Sequence, residues 1–316
     1  MADRLKLAVI ILTYNEMLHL GRALDSIAGL ASEIFIVDSG STDGTVELAR
    51  SRGAQIFTHD FENQARQFQW ALENLPVTAD WVMRLDADEI IEPDLAAQLQ
   101  ARLPLLPPSI NGISLNRKTI FMNRWIRHGG RYPLWMLRVW RRGTARMEDR
   151  WMDEHLYLTE GQSIEINGGF ADWNLHDLTF FTAKHNHYAS REALDVLNRR
   201  HHIFAEAEEL THESTAGQVK IKRFIKEKIY NRVPFSLATL GYFLLRYVVQ
   251  RGFLDGREGL IYNVLQGFWY RFLVGAKLCE MEEAVAHASN REELIAKLED
   301  LTGRKLQDGP LAANRT

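Results

Sequence analysis

Trp81-Val82-Met83-Arg84-Leu85-Asp86-Ala87-Asp88-Glu89 places two carboxylates, one residue apart, directly after a short apolar stretch. At a period of two, Asp86 and Asp88 point to the same side of an extended chain end. Hard divalent cations take oxygen ligands, and one or two carboxylates together with substrate phosphates can supply them. Alone, such a pair reads more often as a solvated acidic loop. Its surroundings decide between the two.

Upstream, Leu7 to Leu12 (LAVIIL) is a continuous β-branched apolar run, the pattern of a strand buried on both faces. Glu16 to Gly29 follows with Leu20, Leu24 and Ile27 at helical spacing. Ile34 to Val37 is a second strand ending at Asp38, and Ser41-Thr42-Asp43-Gly44 offers a cap for a helix over Thr45 to Arg52. Ala54 to Thr58 reads as a third strand, Phe61 to Leu75 as a helix, and Trp81 to Leu85 as the fourth strand, which delivers the acidic pair. This β-α-β-α-β-α-β order predicts an α/β fold with a doubly wound, mostly parallel sheet. Ligands of such sheets bind beyond the carboxyl ends of the strands. Thr13 to Glu16, Asp38 to Asp43 and Asp86 to Glu89 all fall there.

Downstream, Pro93 to Pro108 reads as a helix and a Pro-bounded linker. Ile113 to Trp140 reads as strands and loops, and Leu178 to Ala207 as a charged helix. From Gln218 on the chain reads as amphipathic helices, with Ile261, Val264, Leu265, Phe268, Phe272 and Gly275 on one face. His185 and His187 read as surface residues. The expected division is a catalytic domain over 1–215, with a nucleotide half to about residue 100, and a helical, basic region over 216–316.

At 316 residues, 46% hydrophobic and 25% charged, the composition is that of a globular protein with a large core. The single Cys279 excludes an internal disulfide framework and a Cys-rich zinc site. No secretory leader is expected at the amino terminus, and no apolar stretch reaches the roughly 20 residues that span a bilayer. Net charge is −3, yet Gly217 to Leu278 carries eleven Lys and Arg against three acids. A basic segment in an acidic chain implies an anionic partner. No nucleic-acid motif accompanies it, so an anionic membrane surface is expected and nucleic acid is not.

Three clusters, Leu12-Thr13-Tyr14-Asn15-Glu16, Val37-Asp38-Ser39-Gly40-Ser41-Thr42-Asp43 and Leu85-Asp86-Ala87-Asp88-Glu89, resemble in order and spacing those of the family-2 inverting glycosyltransferases of GT-A fold. Arg127-His128-Gly129-Gly130-Arg131-Tyr132-Pro133 with Arg138-Val139-Trp140-Arg141-Arg142, Asp153-Glu154-His155-Leu156, and Gly252-Phe253-Leu254-Asp255-Gly256 resemble elements of the lipopolysaccharide core β-glucosyltransferase subgroup. The similarity runs from about Leu7 to about Leu278. It departs from the subgroup at Leu134-Trp135, where an acid is usual, and at Asp153, where His is usual. Both departures bear on the acceptor and not on the reaction class.

The resemblance implies a metal-dependent hexosyltransferase that uses Mn²⁺ or Mg²⁺ and a nucleotide sugar, UDP-linked by preference. It implies Asp88 as metal ligand, with Asp86 at the ribose and reaching the metal through water. Asp38 would read uracil, and Thr13, Tyr14, Asn15 and Glu16 would form the uridine loop. Arg66 is a candidate for a nucleotide or phosphate contact, or a solvent-facing helix residue. Asp43 is equally a helix cap. Glu154, with Asp153 as second candidate, would be the base that takes the acceptor's proton, in apolar surroundings from Trp151, Met152 and Leu156 that raise a carboxyl pKa. His176 would complete the metal site or be structural. Arg138, Arg141, Arg142 and Tyr132 would meet a phosphorylated or diphosphate-linked acceptor, or line a basic strand face.

The implied reaction is transfer to a lipid-anchored glycan, first of all lipopolysaccharide inner core, by an enzyme peripheral on the inner, cytoplasmic face of the membrane. A polyprenyl-diphosphate-linked oligosaccharide is a second acceptor. A polyprenyl-phosphate sugar synthase and an inactive membrane-docked scaffold are the competing readings.

Overall fold

The computed structural model describes residues 5–148, 155–203, 234–303 and 306. They form two compact units. The first comprises residues 5–127, 131–148 and 155–175, the second residues 128–130 and the described residues from 176 on. From residue 131 on, the described residues pass from the first unit to the second between Leu175 and His176.

In the first unit β1 (Leu7–Thr13), β2 (Glu33–Asp38), β3 (Gln55–Thr58) and β4 (Trp81–Arg84) alternate with α1 (Met17–Ile27), α2 (Thr45–Ser51) and α3 (Gln64–Asn74). β5 (Glu89–Ile91), α4 (Pro93–Arg102), β6 (Ile110–Phe121), β7 (Arg124–Ile126), β8 (Trp135–Arg141), β9 (Ala145–Met147), β10 (Leu156–Leu158) and β11 (Gln162–Trp173) follow. The main sheet runs β3-β2-β1-β4-β8-β6-β11-β5, with β7 on β6, while β9 and β10 pair separately. The β3-β2-β1-β4 half is parallel, as its unbroken apolar strands predict, and β8 enters antiparallel between β4 and β6. This is an α/β fold on a mixed sheet whose first half is parallel, with helices following later in the chain.

Strand alternation explains the two cores. Leu7, Val9 and Ile11 face Leu20, Leu24 and Ile27 of α1 and Leu95 and Leu99 of α4. Ala8 and Ile10 face the other way, with Phe35, Val37, Phe68 and Trp140. Both faces are covered, so neither set of β1 side chains meets water; each buried Leu or Ile contributes roughly 1.5–3 kcal/mol. Pro93 opens α4, where its missing N–H costs nothing.

The second unit holds α5 (Leu178–His201), α6 (Phe235–Leu244), α7 (Gly256–Tyr262), α8 (Tyr270–His287) and α9 (Arg291–Thr302). Asp177 caps α5 and Asn290 caps α9. Ala189, Ala193 and Leu197 of α5 pack with Tyr270, Val274 and Met281 of α8 and Leu298 of α9. His185, expected at the surface, is buried, with Nδ1 at 2.7 Å from the Phe181 carbonyl and Nε2 at 2.6 Å from Gln266; His187 is exposed as expected.

The His128-Gly129-Gly130 and Gly252-to-Gly256 elements meet inside this unit. Asp255 accepts from the His128 backbone N–H at 2.7 Å and pairs with its ring at 2.6 Å. Arg246 Nε donates to the Gly129 carbonyl at 2.8 Å. A Cβ on Gly129, whose φ is +68°, would stand 2.9 Å from Asn263 Oδ1, so the close approach needs glycine. The single apolar helical face expected from Ile261 to Gly275 is corrected. Wider π-type turns over Asn263–Trp269 shift the phase, and Tyr262, Asn263, Gly267, Tyr270 and Val274 turn inward while Val264 and Phe272 lie exposed.

Candidate active site

The site is built where β1, β2 and β4 end. Thr13 and Asp38 are register partners at the ends of β1 and β2, and Thr13 Oγ1 donates to Asp38 Oδ1 at 2.9 Å. Asp38 Oδ2 accepts from the backbone N–H groups of Gly40 and Ser41, each at 2.8 Å, and Oδ1 also accepts from Ser41 Oγ. A carboxylate has about four acceptor sites. Those of Asp38 are filled by its own loop and Thr13, so here it shapes the β2–α2 loop.

That loop locks to the one after β1. Asn15, at φ +54°, donates its N–H to Ser41 Oγ and accepts from the Thr42 N–H, both at 2.8 Å. Glu16 N–H donates to Thr45 Oγ1 at 2.8 Å, and Met17 N–H to Asp43 Oδ2 at 3.0 Å. Burial pushes the Asp43 carboxyl up, but the Thr45 hydroxyl and the surrounding N–H donors outweigh it and hold the carboxyl below its usual range. The carboxylate of Glu16 takes the Nδ1–H of buried His19 at 2.7 Å, and His19 Nε2 accepts from the Leu175 N–H at 3.0 Å. Tyr14 is exposed.

The Asp86–Glu89 turn is closed from both sides. Glu89 N–H donates to the Asp86 carbonyl, and Asp86 N–H to Glu89 Oε2, each at 2.9 Å. Arg138 Nη2 lies 2.6 Å from Glu89 Oε1 and 3.2 Å from Asp86 Oδ2, while Arg84 Nε is 3.0 Å from Asp86 Oδ1. Burial would raise the Asp86 carboxyl, but Arg84 and Arg138 win and hold it well below the usual range. Glu89 is pushed up to about 8: burial, with the Asp86 charge beside it, exceeds the pull of Arg138 and Arg117. Arg138, with its charge buried among Glu89, Asp86 and Asp172, is held above its ordinary value because the carboxylates outweigh desolvation.

Arg138 reaches this turn because of a bulge. Val139 pairs with Ile113 and Leu137 with Ser114, so Arg138 is the extra residue between them. A bulge re-aims a side chain, and the guanidinium lies over Phe170, 5.3 Å from the ring centroid. It therefore holds Asp86 and Glu89 and is not presented to an acceptor phosphate. Arg141 sits elsewhere on the same strand. It pairs with Trp81 at the amino end of β4, stacks on that ring at 4.5 Å, and donates to the Ile110, Leu106 and Pro107 carbonyls. Tyr132 meets Trp125 edge-on at 5.0 Å, and Arg66 forms an exposed pair with Glu62 at 2.8 Å.

Asp88 differs from Asp86. Both are half-buried, but the Asp88 carboxylate is held by Asn174, whose Nδ2 donates to Oδ2 at 3.0 Å. The Asp88 carbonyl accepts from the Trp173 N–H at 2.9 Å. Arg22 donates to the Trp173 carbonyl at 2.7 Å and lies 5.1 Å from that ring. Burial lowers Arg22 despite the opposing charge of Asp88. A single oriented carboxylate suits a hard cation that takes its other ligands from phosphate. Among the described residues no three His, Cys, Asp or Glu stand together as a self-sufficient metal cage. His176, which belongs to the second unit, stacks on Phe180 at 3.8 Å. Asp153 and Glu154, with Trp151 and Met152, lie outside the described residues.

Residues the sequence reading passed over are His19, Arg22, Arg84, Glu89 as a framing residue, and Asn174. Only Glu89 and Arg84 carried a local signal, their place in the quoted stretch.

Residues 8–162 match the family Glycosyl transferase family 2. An uncharacterized glycosyltransferase of Rickettsia prowazekii is 34% identical over 95 residues, 30% of this chain and 32% of that protein. The lipopolysaccharide core biosynthesis glycosyltransferase LpsC of Rhizobium meliloti is 36% identical over 97 residues, 29% of this chain and 35% of LpsC. The match thus spans about a third of these relatives' length. Among solved structures, mannosyl-3-phosphoglycerate synthase of Rubrobacter xylanophilus aligns at 18% identity over 67% of this chain and 80% of its own, with TM-score 0.41. Glucosyl-3-phosphoglycerate synthase of Mycobacterium tuberculosis, in complex with Mn²⁺, UDP and glucosyl-3-phosphoglycerate, aligns at 24% over 37% and 45%, with TM-score 0.31.

Proposed function

We propose that the protein transfers a hexose, with inversion, from a UDP-linked sugar to a hydroxyl of a lipid-anchored glycan at the inner face of the cytoplasmic membrane. The observation that carries this reading is the convergence of two interlocked loops and the Asp86–Glu89 turn at the carboxyl ends of β1, β2 and β4. The preformed loops over Thr13–Glu16 and Asp38–Thr45 receive the nucleoside. Asp88, oriented by Asn174, would hold Mn²⁺ or Mg²⁺ together with the diphosphate oxygens. Bound there, the ion neutralises charge on the departing diphosphate. Glu154, or Asp153 beside it, takes the proton of the acceptor hydroxyl.

Lipopolysaccharide inner core is the first acceptor; the similarity to LpsC over part of the chain supports it. A polyprenyl-diphosphate-linked oligosaccharide is the second. The basic stretch from Gly217 to Leu278 favours a lipid-anchored acceptor and an anionic leaflet over a soluble one. The test is donor turnover and calorimetric binding across a panel of UDP- and GDP-sugars, with and without Mn²⁺, joined to a glycan mass profile of cells lacking the protein. The reading predicts metal-dependent binding of a UDP-sugar and loss of one hexose from a glycolipid. If no sugar nucleotide binds or turns over, the transferase reading fails.

A further inference from the structure

The second unit is polar inside and apolar outside along one stretch. Between Phe235 and Phe272 no Leu, Ile or Phe is buried. The buried side chains there include Thr239, Arg246, Asp255 and Asn263. The exposed ones include Leu237, Leu244, Val248, Val249, Phe253 and Leu254, with Val249 at 69%. Scattered exposed apolar residues need no account, but a sequence run of them beside buried polar groups does. A water-facing surface gains nothing from this arrangement.

Charge is removed from the same face. Arg246 is the only charged residue from Phe235 to Gln250. Its guanidinium is turned inward, with Nε on the Gly129 carbonyl and the Tyr242 and Tyr262 rings at 5.7 and 5.8 Å. Exposed cations return at the border, at Arg251 and Arg257. In sequence, Gly217 to Val233 directly before α6 holds six Lys and Arg against Glu227 alone. An apolar surface bordered by cations matches a leaflet's acyl boundary and its anionic headgroups. Among the described residues no helix is long and apolar enough to cross a membrane.

We propose that the face carried by α6 and the chain on to Leu254 inserts into the acyl boundary of a bilayer leaflet, so that apolar contact, and not charge alone, holds the protein to the membrane. It deepens the reading of a membrane-bound acceptor, yet stands or falls separately from donor chemistry.

The experiment is vesicle flotation of the full chain on pure phosphatidylcholine and on phosphatidylcholine with phosphatidylglycerol. It is run at low salt and at about 1 M salt, where the Debye length is about 3 Å. Native protein is expected to float with neutral vesicles and to stay bound at high salt. Val248→Ser with Val249→Ser and Phe253→Ser should lower partitioning by about tenfold or more, with the melting temperature and UDP–Mn²⁺ binding unchanged. Because that variant can fail to fold, an environment-sensitive dye at Val249→Cys in a Cys279→Ser background gives a second reading. Its emission should shift to the blue on vesicles, whereas the same dye at Glu292→Cys should not respond. Binding only to anionic vesicles and lost in salt would overturn the proposal. So would a silent Val249 dye, or a dimer by light scattering that the serine variant dissociates. Flotation without nucleotide binding would sink the transferase reading and leave this one standing.

Discussion

The carboxyl edge of the parallel half-sheet and the Phe235–Phe272 stretch handle polarity in opposite ways. At the first, aliphatic side chains fill both faces of β1, and Asp86, Glu89 and Arg138 are matched within hydrogen-bond reach. At the second, Thr239, Arg246, Asp255 and Asn263 go inside and leucines and valines go outside. Both stretches are apolar in composition. What separates them is which residues are buried, and burial reports the medium a surface is made for. The sheet edge gathers matched polar groups; the helical stretch turns its aliphatic side chains outward.

The sharpest break at the sheet edge comes from Asp88. Asp88→Asn should leave the fold intact and reduce sugar transfer about a thousandfold, the scale of losing a group that acts on developing charge. Donor turnover and the melting curve check it together. A variant that keeps transfer within a few-fold would remove Asp88 from the chemistry.

Next is the pair of arginines on β8. Arg138→Met removes the guanidinium that joins Asp86 to buried Glu89 and should cost roughly 3–5 kcal/mol of stability. Arg141→Met loses bonds to carbonyls and its stacking on Trp81 at the other end of β4 and should cost about 1–3 kcal/mol, with the KM for the donor unchanged. Denaturant titration of both variants compares them. Equal losses would mean that the acid turn is not the more demanding site.

Those two arginines also show where sequence reading stops. The strands, α1 with Leu20, Leu24 and Ile27, and the three loop ends were legible because each rests on local periodicity. Strand alternation alone puts residues 138 and 141 on opposite faces, so they could not serve one phosphate together. The bulge then re-aims Arg138 toward Glu89, and nothing local announces it. Asn174 on Asp88 and Leu175 on His19 lie 86 and 156 residues from their partners, beyond any spacing argument. Asp38 was recognisable as a site residue, but that its acceptor sites are filled by Thr13, Gly40 and Ser41 required coordinates.

The pH dependence of the metal-free protein separates the two carboxylates of the turn. Asp86 has a lowered pKa, so its contribution is present above the ordinary Asp range and is lost as pH falls below about 4. Glu89 has a raised pKa, so the folded state holds its proton more tightly than the unfolded chain does. Its contribution is present below the ordinary Glu range and is lost as pH rises toward about 8. Asp86→Asn should flatten the acid limb of a melting-temperature profile, and Glu89→Gln the limb above it. Superimposable profiles for native protein and both variants would show that the turn does not titrate with folding.

The smallest effect tests the other side of the comparison. Thr239 is buried on α6, and its hydroxyl has no hydrogen-bond partner among the described residues. A buried donor left unmade is a cost, and replacing it with an apolar group of the same shape is neutral or stabilising. Thr239→Val should therefore raise stability in aqueous buffer by up to about 1 kcal/mol. Exchanging an exposed apolar residue of the same helix, as in Leu240→Thr, should leave stability in buffer nearly unchanged while weakening flotation on vesicles. Loss of stability in Thr239→Val would mean that the hydroxyl is satisfied in solution and that the inside of this stretch is polar by design. A gain would mean that only the outward face is under a constraint, which is the arrangement a bilayer imposes.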